Sequence, residues 1–276
     1  MLRPVPALAA AALVALAGLL ACEKEPPKTA LGYSEGAKRE YEAAMEQFRA
    51  HAWIDAQAQM REVKRRYSYS KYARLAELRI ADADYEQDKF AEAIREYKEF
   101  IHAHRSDAED VAYARSRMAE ATYAEIPESI LMPAAEERDQ AAVVDSYKEL
   151  RSYLADYPDS KQSTHIRELL AQVTARLVRH ELYVAHFYLN KENFEAAVAR
   201  IQYALRTYAI GKPGSQTGAA SDLEGDALLL LGETYLKMHK WGEAREAFDG
   251  IVRGFDGRPV ATQARNYLAH LRMRGV

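Results

Sequence analysis

Histidine and carboxylate groups are the obvious candidates for metal chemistry in this chain, and their spacing argues against it. In "HELYVAH" (180–186) the two histidines stand six residues apart. A zinc-binding helix needs them four apart so that both rings meet one ion; six apart, they point to opposite sides. "HAH" (102–104) splays its rings near a helix end and reads as a solvated pair. "DADYEQD" (82–88) has the alternating carboxylates of a calcium loop, but it lacks the turn glycine and the closing glutamate and lies inside a helical pattern. "GKPGSQTG" (211–218) orders Gly, Lys and Thr wrongly for a phosphate loop, and no strand precedes it. No nucleophile stands beside a plausible base. The sequence therefore offers no catalytic group, no metal site and no cofactor site.

One thiol remains. Cys22 is the only cysteine, so the chain can form neither an internal disulfide nor a multi-thiolate metal centre. It ends a segment in which Arg3 supplies positive charge and Ala7 to Leu20 form an uncharged apolar run. That run is too short to span a bilayer and suits the core of a signal peptide. Leu19-Leu20-Ala21-Cys22 resembles the lipobox of bacterial lipoproteins. The resemblance implies diacylglyceryl transfer to the Cys22 thiol, cleavage before it and acylation of the new N-terminus. Three acyl chains, at roughly 0.8 kcal/mol per buried methylene, hold a protein at a membrane with no transmembrane helix. Glu23, where an Asp would mark inner-membrane retention, favours the outer membrane. The expected organisation is a signal peptide over 1–21, a tether over 22–33 and a folded region over 34–276.

The elements that would position any site are helices. The chain has 276 residues, 49% hydrophobic and 29% charged, with 13 Gly and 9 Pro, and its apolar residues recur at helical spacing from Ser34 onward. A net charge of -3 speaks against a nucleic-acid partner. The stretch 226–252 sets Leu231-Gly232, Tyr235, Trp241, Ala244, Phe248 and Ile251 at the spacing of a tetratricopeptide repeat, a helical hairpin of about 34 residues. The offsets recur at Phe90, Ala93, Tyr97 and Phe100; at Phe194, Ala197, Ile201 and Ala204; at Trp53, Ala56, Met60 and Val63; and, degenerately, at Ser146, Leu150 and Tyr153. Gly232 and the alanines are small where two helices cross closely, and the large residues fill the gaps beside the crossing. Insertions fall at 124–140 and 211–222, and 163–190, free of Gly and Pro, predicts one long helix. The fold expected is all-α, an α-solenoid of about five tetratricopeptide repeats.

A lipobox, five such repeats and "YSYSKYA", "ERDQ", "YPDS" and "HELYVAHFYLNKENFEAAVARIQ" in this order resemble the BamD family. That family supplies the lipoprotein subunit of the outer-membrane β-barrel assembly machinery. Ser68 and Arg105 depart from it where a helix-stopping Pro is common, and the loop 124–136 has its own character. The resemblance implies a non-enzymatic scaffold, lipid-anchored at the periplasmic face of the outer membrane. Its partners would be the periplasmic domains of BamA, toward the C-terminal repeats, and unfolded outer-membrane β-barrel proteins, toward the N-terminal ones.

The repeat pattern bears on that division. First helices of tetratricopeptide repeats line the inner surface of the array. The place one beyond the packing Tyr holds Phe48, Tyr85, Tyr123, Leu189 and Leu236, and two turns earlier stand Tyr41 and Tyr113. Tyr41, Phe48, Tyr85, Tyr113 and Tyr123 are thus the candidate substrate-peptide groove, suited to an aromatic-rich extended segment. Lys38, Arg49 and Arg74 lie near enough in the pattern to meet a peptide carboxylate. Asp226, Glu233 and Lys237 are the candidate partner contacts of the last repeat.

An alternative is a tetratricopeptide envelope lipoprotein that scaffolds peptidoglycan enzymes or the Tol-Pal system, though such proteins usually lack the long "HELYVAHFYL" helix. Replacing Cys22 by Ser is expected to release the protein into the soluble periplasm, as read by membrane fractionation. Membrane association that persists in the absence of partners would contradict the anchor.

Overall fold

Small residues recur where the pattern demands that two helices touch, and the fold follows from that. The computed structural model describes residues 29–128, 133–208 and 218–275. Cys22 and the signal segment lie outside them. Among the described residues there are eleven helices and no strand. They are α1 (Ala30–Arg49), α2 (Trp53–Arg66), α3 (Lys71–Tyr85), α4 (Phe90–Ala103), α5 (Ala108–Ala124) and α6 (Ala141–Asp156). There follow α7 (Ser163–Asn190), α8 (Phe194–Thr207), α9 (Gly218–Lys237), α10 (Trp241–Gly254) and α11 (Pro259–Met273). The first ten pair into five tetratricopeptide hairpins, and α11 buries Ala261, Ala264, Leu268 and Leu271 to cap the last one. The fold is all-α, as the repeat pattern predicts.

Two differences from the sequence reading concern helix starts. α1 begins at Ala30, where the Thr29 side chain accepts from the Gly32 amide, rather than at Ser34. α9 begins at Gly218, inside the stretch expected as a loop, since Ala219-Ala220-Ser221 contains no helix breaker.

The crossing residues behave as predicted. Ala56, Ala93, Ser146, Ala197 and Ala244 are each 0% exposed. So are their neighbours one turn on: Met60, Tyr97, Leu150, Ile201 and Phe248. At Gly232 the approach is closest: a Cβ there would fall 2.5 Å from Phe248 Cε1.

So tight a crossing requires a short turn, and four of the five hairpins share one. His51, Asp88, Glu192 and His239 each adopt a left-handed backbone, with φ of 58°, 58°, 55° and 58°. The next amide reaches back to close the helix end: Ala52 to the Gln47 carbonyl, Lys89 to Asp84, Asn193 to Tyr188 and Lys240 to Tyr235, at 2.9–3.0 Å. None of the four is glycine, so each carries left-handed strain. His51 and His239 recover part of it by packing edge-on against Trp53 and Trp241.

The chain divides into two compact units, one ending at Ile80 and the other starting at Ala81, within α3. In the first, Met60, Val63, Tyr67, Ala76 and Ile80 close over α1. Tyr67 lies across Gly36 and donates its hydroxyl to Glu40 at 2.9 Å. The second unit holds two apolar cores, one around Leu150, Tyr153, Ile166 and Leu177, the other around Phe248, Ile251 and Leu268. Leu182 on α7 packs against both, so this 28-residue helix is their common spine.

Gly232→Ala is expected to cost about 1–3 kcal/mol by overpacking Phe248, while Glu192→Gly should gain about 0.5–1 kcal/mol by relieving left-handed strain. Thermal unfolding of both variants checks this, and equal midpoints would contradict it.

Candidate functional site

Asp82 is 2% exposed, and a carboxylate so deeply buried needs partners. Tyr97 on α4 donates to Oδ1 at 2.5 Å and Tyr113 on α5 donates to Oδ2 at 2.9 Å. Arg117 on α5 approaches the same carboxylate at 3.7 Å and pairs with Glu86 at 3.3 Å and Glu120 at 2.7 Å. Its guanidinium lies 3.9 Å above the Tyr85 ring, which also meets Phe90 edge-on at 5.4 Å. Burial, reinforced by Asp82, holds the Tyr97 phenol far above its ordinary range, so it stays a neutral donor. Burial likewise pushes Tyr85 up.

Tyr85 and Tyr113 are therefore brought together, both half-buried, on one polar cluster. "DADYEQD" is accounted for too. Its Asp82 carboxylate serves two phenols, and among the described residues no group of His, Cys, Asp and Glu is placed to hold a metal ion. Sequence reasoning missed Arg117 and the Tyr97–Asp82 bond. The available signal was an aspartate on the apolar face of a helix.

Tyr123 stands elsewhere, at the edge of a cavity of about 690 Å³ between α5 and α7, the first helices of the third and fourth hairpins. Its hydroxyl donates to Gln172 Oε1 at 2.8 Å, which fixes the ring at the rim. Ile126, Ala171, Val173 and Ala175 supply apolar wall; Gln172, Arg176, Arg179 and Glu128 supply the polar part. The flanks of the third-hairpin insertion are folded onto this region. Arg138 donates to the carbonyls of Pro133 at 2.7 Å and Pro127 at 2.8 Å, and His180 Nδ1 lies 2.7 Å from the Glu136 carbonyl oxygen. His180 thus has a backbone partner, while His186 is exposed.

Tyr41 and Phe48 belong to the first unit, where both are half-buried. Tyr41 packs on Tyr72 at 5.6 Å and Phe48 edge-on to Trp53 at 4.9 Å. Of the cations suggested beside them, Lys38 pairs with Glu42 at 3.7 Å.

In the last hairpin, Glu233 accepts from the Tyr267 hydroxyl at 2.8 Å and lines a second cavity, about 600 Å³, against α11 with Gln263, Asn266 and His270. Asp226, near the middle of the same helix, and Lys237, its last residue, are exposed and outside that cavity.

Helical hairpins with a small, fully buried residue at each crossing define a tetratricopeptide-repeat protein. A tetratricopeptide repeat model matches residues 226–255. A second model, the YfiO outer membrane lipoprotein, matches residues 34–218, and the chain belongs to that family. Relatives named outer membrane protein assembly factor BamD align with it. That of Caulobacter vibrioides is 26% identical over 91% of this chain and 76% of its own. Those of Xylella fastidiosa (strain Temecula1) and Vibrio cholerae are each 22% identical, over 78% and 61% of this chain and 70% of their own. The TPR2AB domain of yeast Sti1 aligns over 85% of this chain and 84% of its own at a TM-score of 0.43 and 11% identity. That likeness is too loose to weigh on the fold, which the hairpins themselves establish. The chain is thus an outer membrane protein assembly factor of the BamD kind.

Asp82→Ala leaves the buried Tyr97 hydroxyl without its acceptor and takes one partner from Tyr113, while Arg117 keeps Glu86 and Glu120. It is expected to cost about 1–3 kcal/mol, read by chemical denaturation; an unchanged stability would show the cluster to be incidental.

Proposed function

We propose that this protein is a non-enzymatic scaffold of the outer-membrane β-barrel assembly machinery. It is held at the periplasmic face of the outer membrane by acyl chains on Cys22, and it binds unfolded barrel proteins and the periplasmic domains of BamA. Family membership supports the process. The observation that carries the substrate role is the cavity between α5 and α7 with Tyr123 at its rim. At about 690 Å³ it falls within the range of roughly 300–1,000 Å³ typical of ligand pockets. It combines apolar wall with a few convergent polar groups, the composition that seats one side chain of an extended segment and fixes its orientation.

Tyr85 and Tyr113 belong to this reading in a different way. Their rings are half-buried and braced by Arg117 and Asp82, so they offer a rigid partial face rather than loose contact surface. Rigid aromatic faces bind at low cost in side-chain entropy. For the BamA contact, α9 and α11 offer Glu233 and a recess, with Asp226 and Lys237 as exposed charges at its margins. Charges so placed steer encounter and set register more than they add affinity.

Replacing Tyr85 and Tyr123 together by Ala should reduce crosslinking to a barrel-derived terminal peptide about tenfold, as expected for two aromatic contacts, with far-UV circular dichroism unchanged. Crosslinking at the wild-type level in a folded variant would remove the substrate role of these rings.

A further inference from the structure

Arg176 sits on α7 with its side chain 12% exposed, facing the cavity beside Tyr123. One guanidinium nitrogen donates to the Glu128 carboxylate, and the buried Nε has no acceptor. Glu128 is 69% exposed and comes from the insertion between α5 and α6. The pair is therefore lopsided. The guanidinium is desolvated on a rigid helix and needs an anion wherever it finds one. The carboxylate is mostly in water already and can return there at little cost. A second arginine, Arg179, is one turn further along α7 and also lines the recess. The described lining thus holds two cations and one carboxylate, and with Glu128 in place it keeps a net positive charge.

We propose that this recess is a carboxylate-recognition site for peptide segments, with Arg176 as anchor and Arg179 as second cation, and that Glu128 fills the anion position until a segment displaces it. The inference rests on the substrate role proposed for Tyr123 and adds the chemical group that is recognised. The ligand is a segment that carries a carboxylate next to an aromatic or large aliphatic side chain. The carboxylate takes the planar fork of Arg176, which suits two-point contact with an anion. The apolar neighbour takes the wall formed by Tyr123, Ile126 and Ala175. Arg138 has a positioning role: it donates to the Pro127 carbonyl, next to Glu128, and its guanidinium stands 4.0 Å from the Glu128 carboxylate, so the internal anion is presented beside Arg176. A chain terminus and a Glu or Asp side chain offer the same chemistry.

The test measures fluorescence anisotropy of the full mature chain with three labelled peptides, each alternating aromatic and polar residues and ending in phenylalanine. One has a free terminal carboxylate, one a terminal amide, and one a terminal amide with glutamate beside the last phenylalanine. Glu128→Gln should bind at least one acidic peptide about tenfold more tightly than wild type, and bind the plain amide no better. The acidic peptide that gains identifies the carboxylate's source. Arg179→Gln, an exposed change that spares the fold, should weaken the same peptide several-fold. No gain on either acidic peptide, or an equal gain on the amide, overturns the inference. Binding that depends on Tyr123 but ignores the carboxylate sinks this inference alone, whereas no binding of any peptide sinks the substrate reading with it.

Discussion

Two helices can approach within van der Waals contact only where one of them presents almost no side chain. Every hairpin in this protein is organised around such a point, at Ala56, Ala93, Ser146, Ala197 and Ala244, each wholly buried. In the last hairpin the partner helix is reduced further, to Gly232, because Phe248 occupies the place where a Cβ would go. From this spacing the rest follows. The large residues one turn along fill the wedge beside the crossing, and the helices must reverse within a few residues. That reversal is why two histidines, an aspartate and a glutamate accept a left-handed backbone at His51, Asp88, Glu192 and His239.

The third hairpin escapes the rule, and the principal candidate site lies there. It has the small crossing residue, Ser146, but a long insertion replaces the tight turn. The insertion's described flanks lie against α7, tied down by Arg138, His180 and Arg176. A regular repeat array fills its own gaps; where one hairpin departs from the regular turn, a recess of several hundred Å³ remains. α7 makes that departure tolerable. Its 28 residues run from the core beneath the recess to the core of the last hairpins, so the irregular hairpin and its regular neighbours share one rigid element.

Buried charge serves a second purpose. Asp82, with its two phenol donors and the nearby Arg117, joins α3, α4 and α5 through groups that must all be satisfied at once. Apolar packing tolerates small slips of one helix along another, whereas a hydrogen-bonded carboxylate in a low-dielectric interior does not. The cluster therefore sets the registry of these helices, and it holds Tyr85 and Tyr113 half-buried on their surface.

The sequence alone was enough to determine the repeat. Its phase, the small crossing residues and the unbroken span of α7 all depend on residue type at fixed spacing, and local spacing is what a sequence records. The aromatic places on the first helices were also legible as places. What those rings do was not. Tyr85, Tyr113 and Tyr123 read as one aromatic stripe on the first helices, yet their partners come from residues 31 to 49 positions away, on other helices. Asp82 and Arg117 take two of them into a polar cluster, and Gln172 holds the third at the rim of a separate recess. Only tertiary packing decided that division. Burial and charge pairing depend on which helices meet, and no period within a single helix encodes its neighbours.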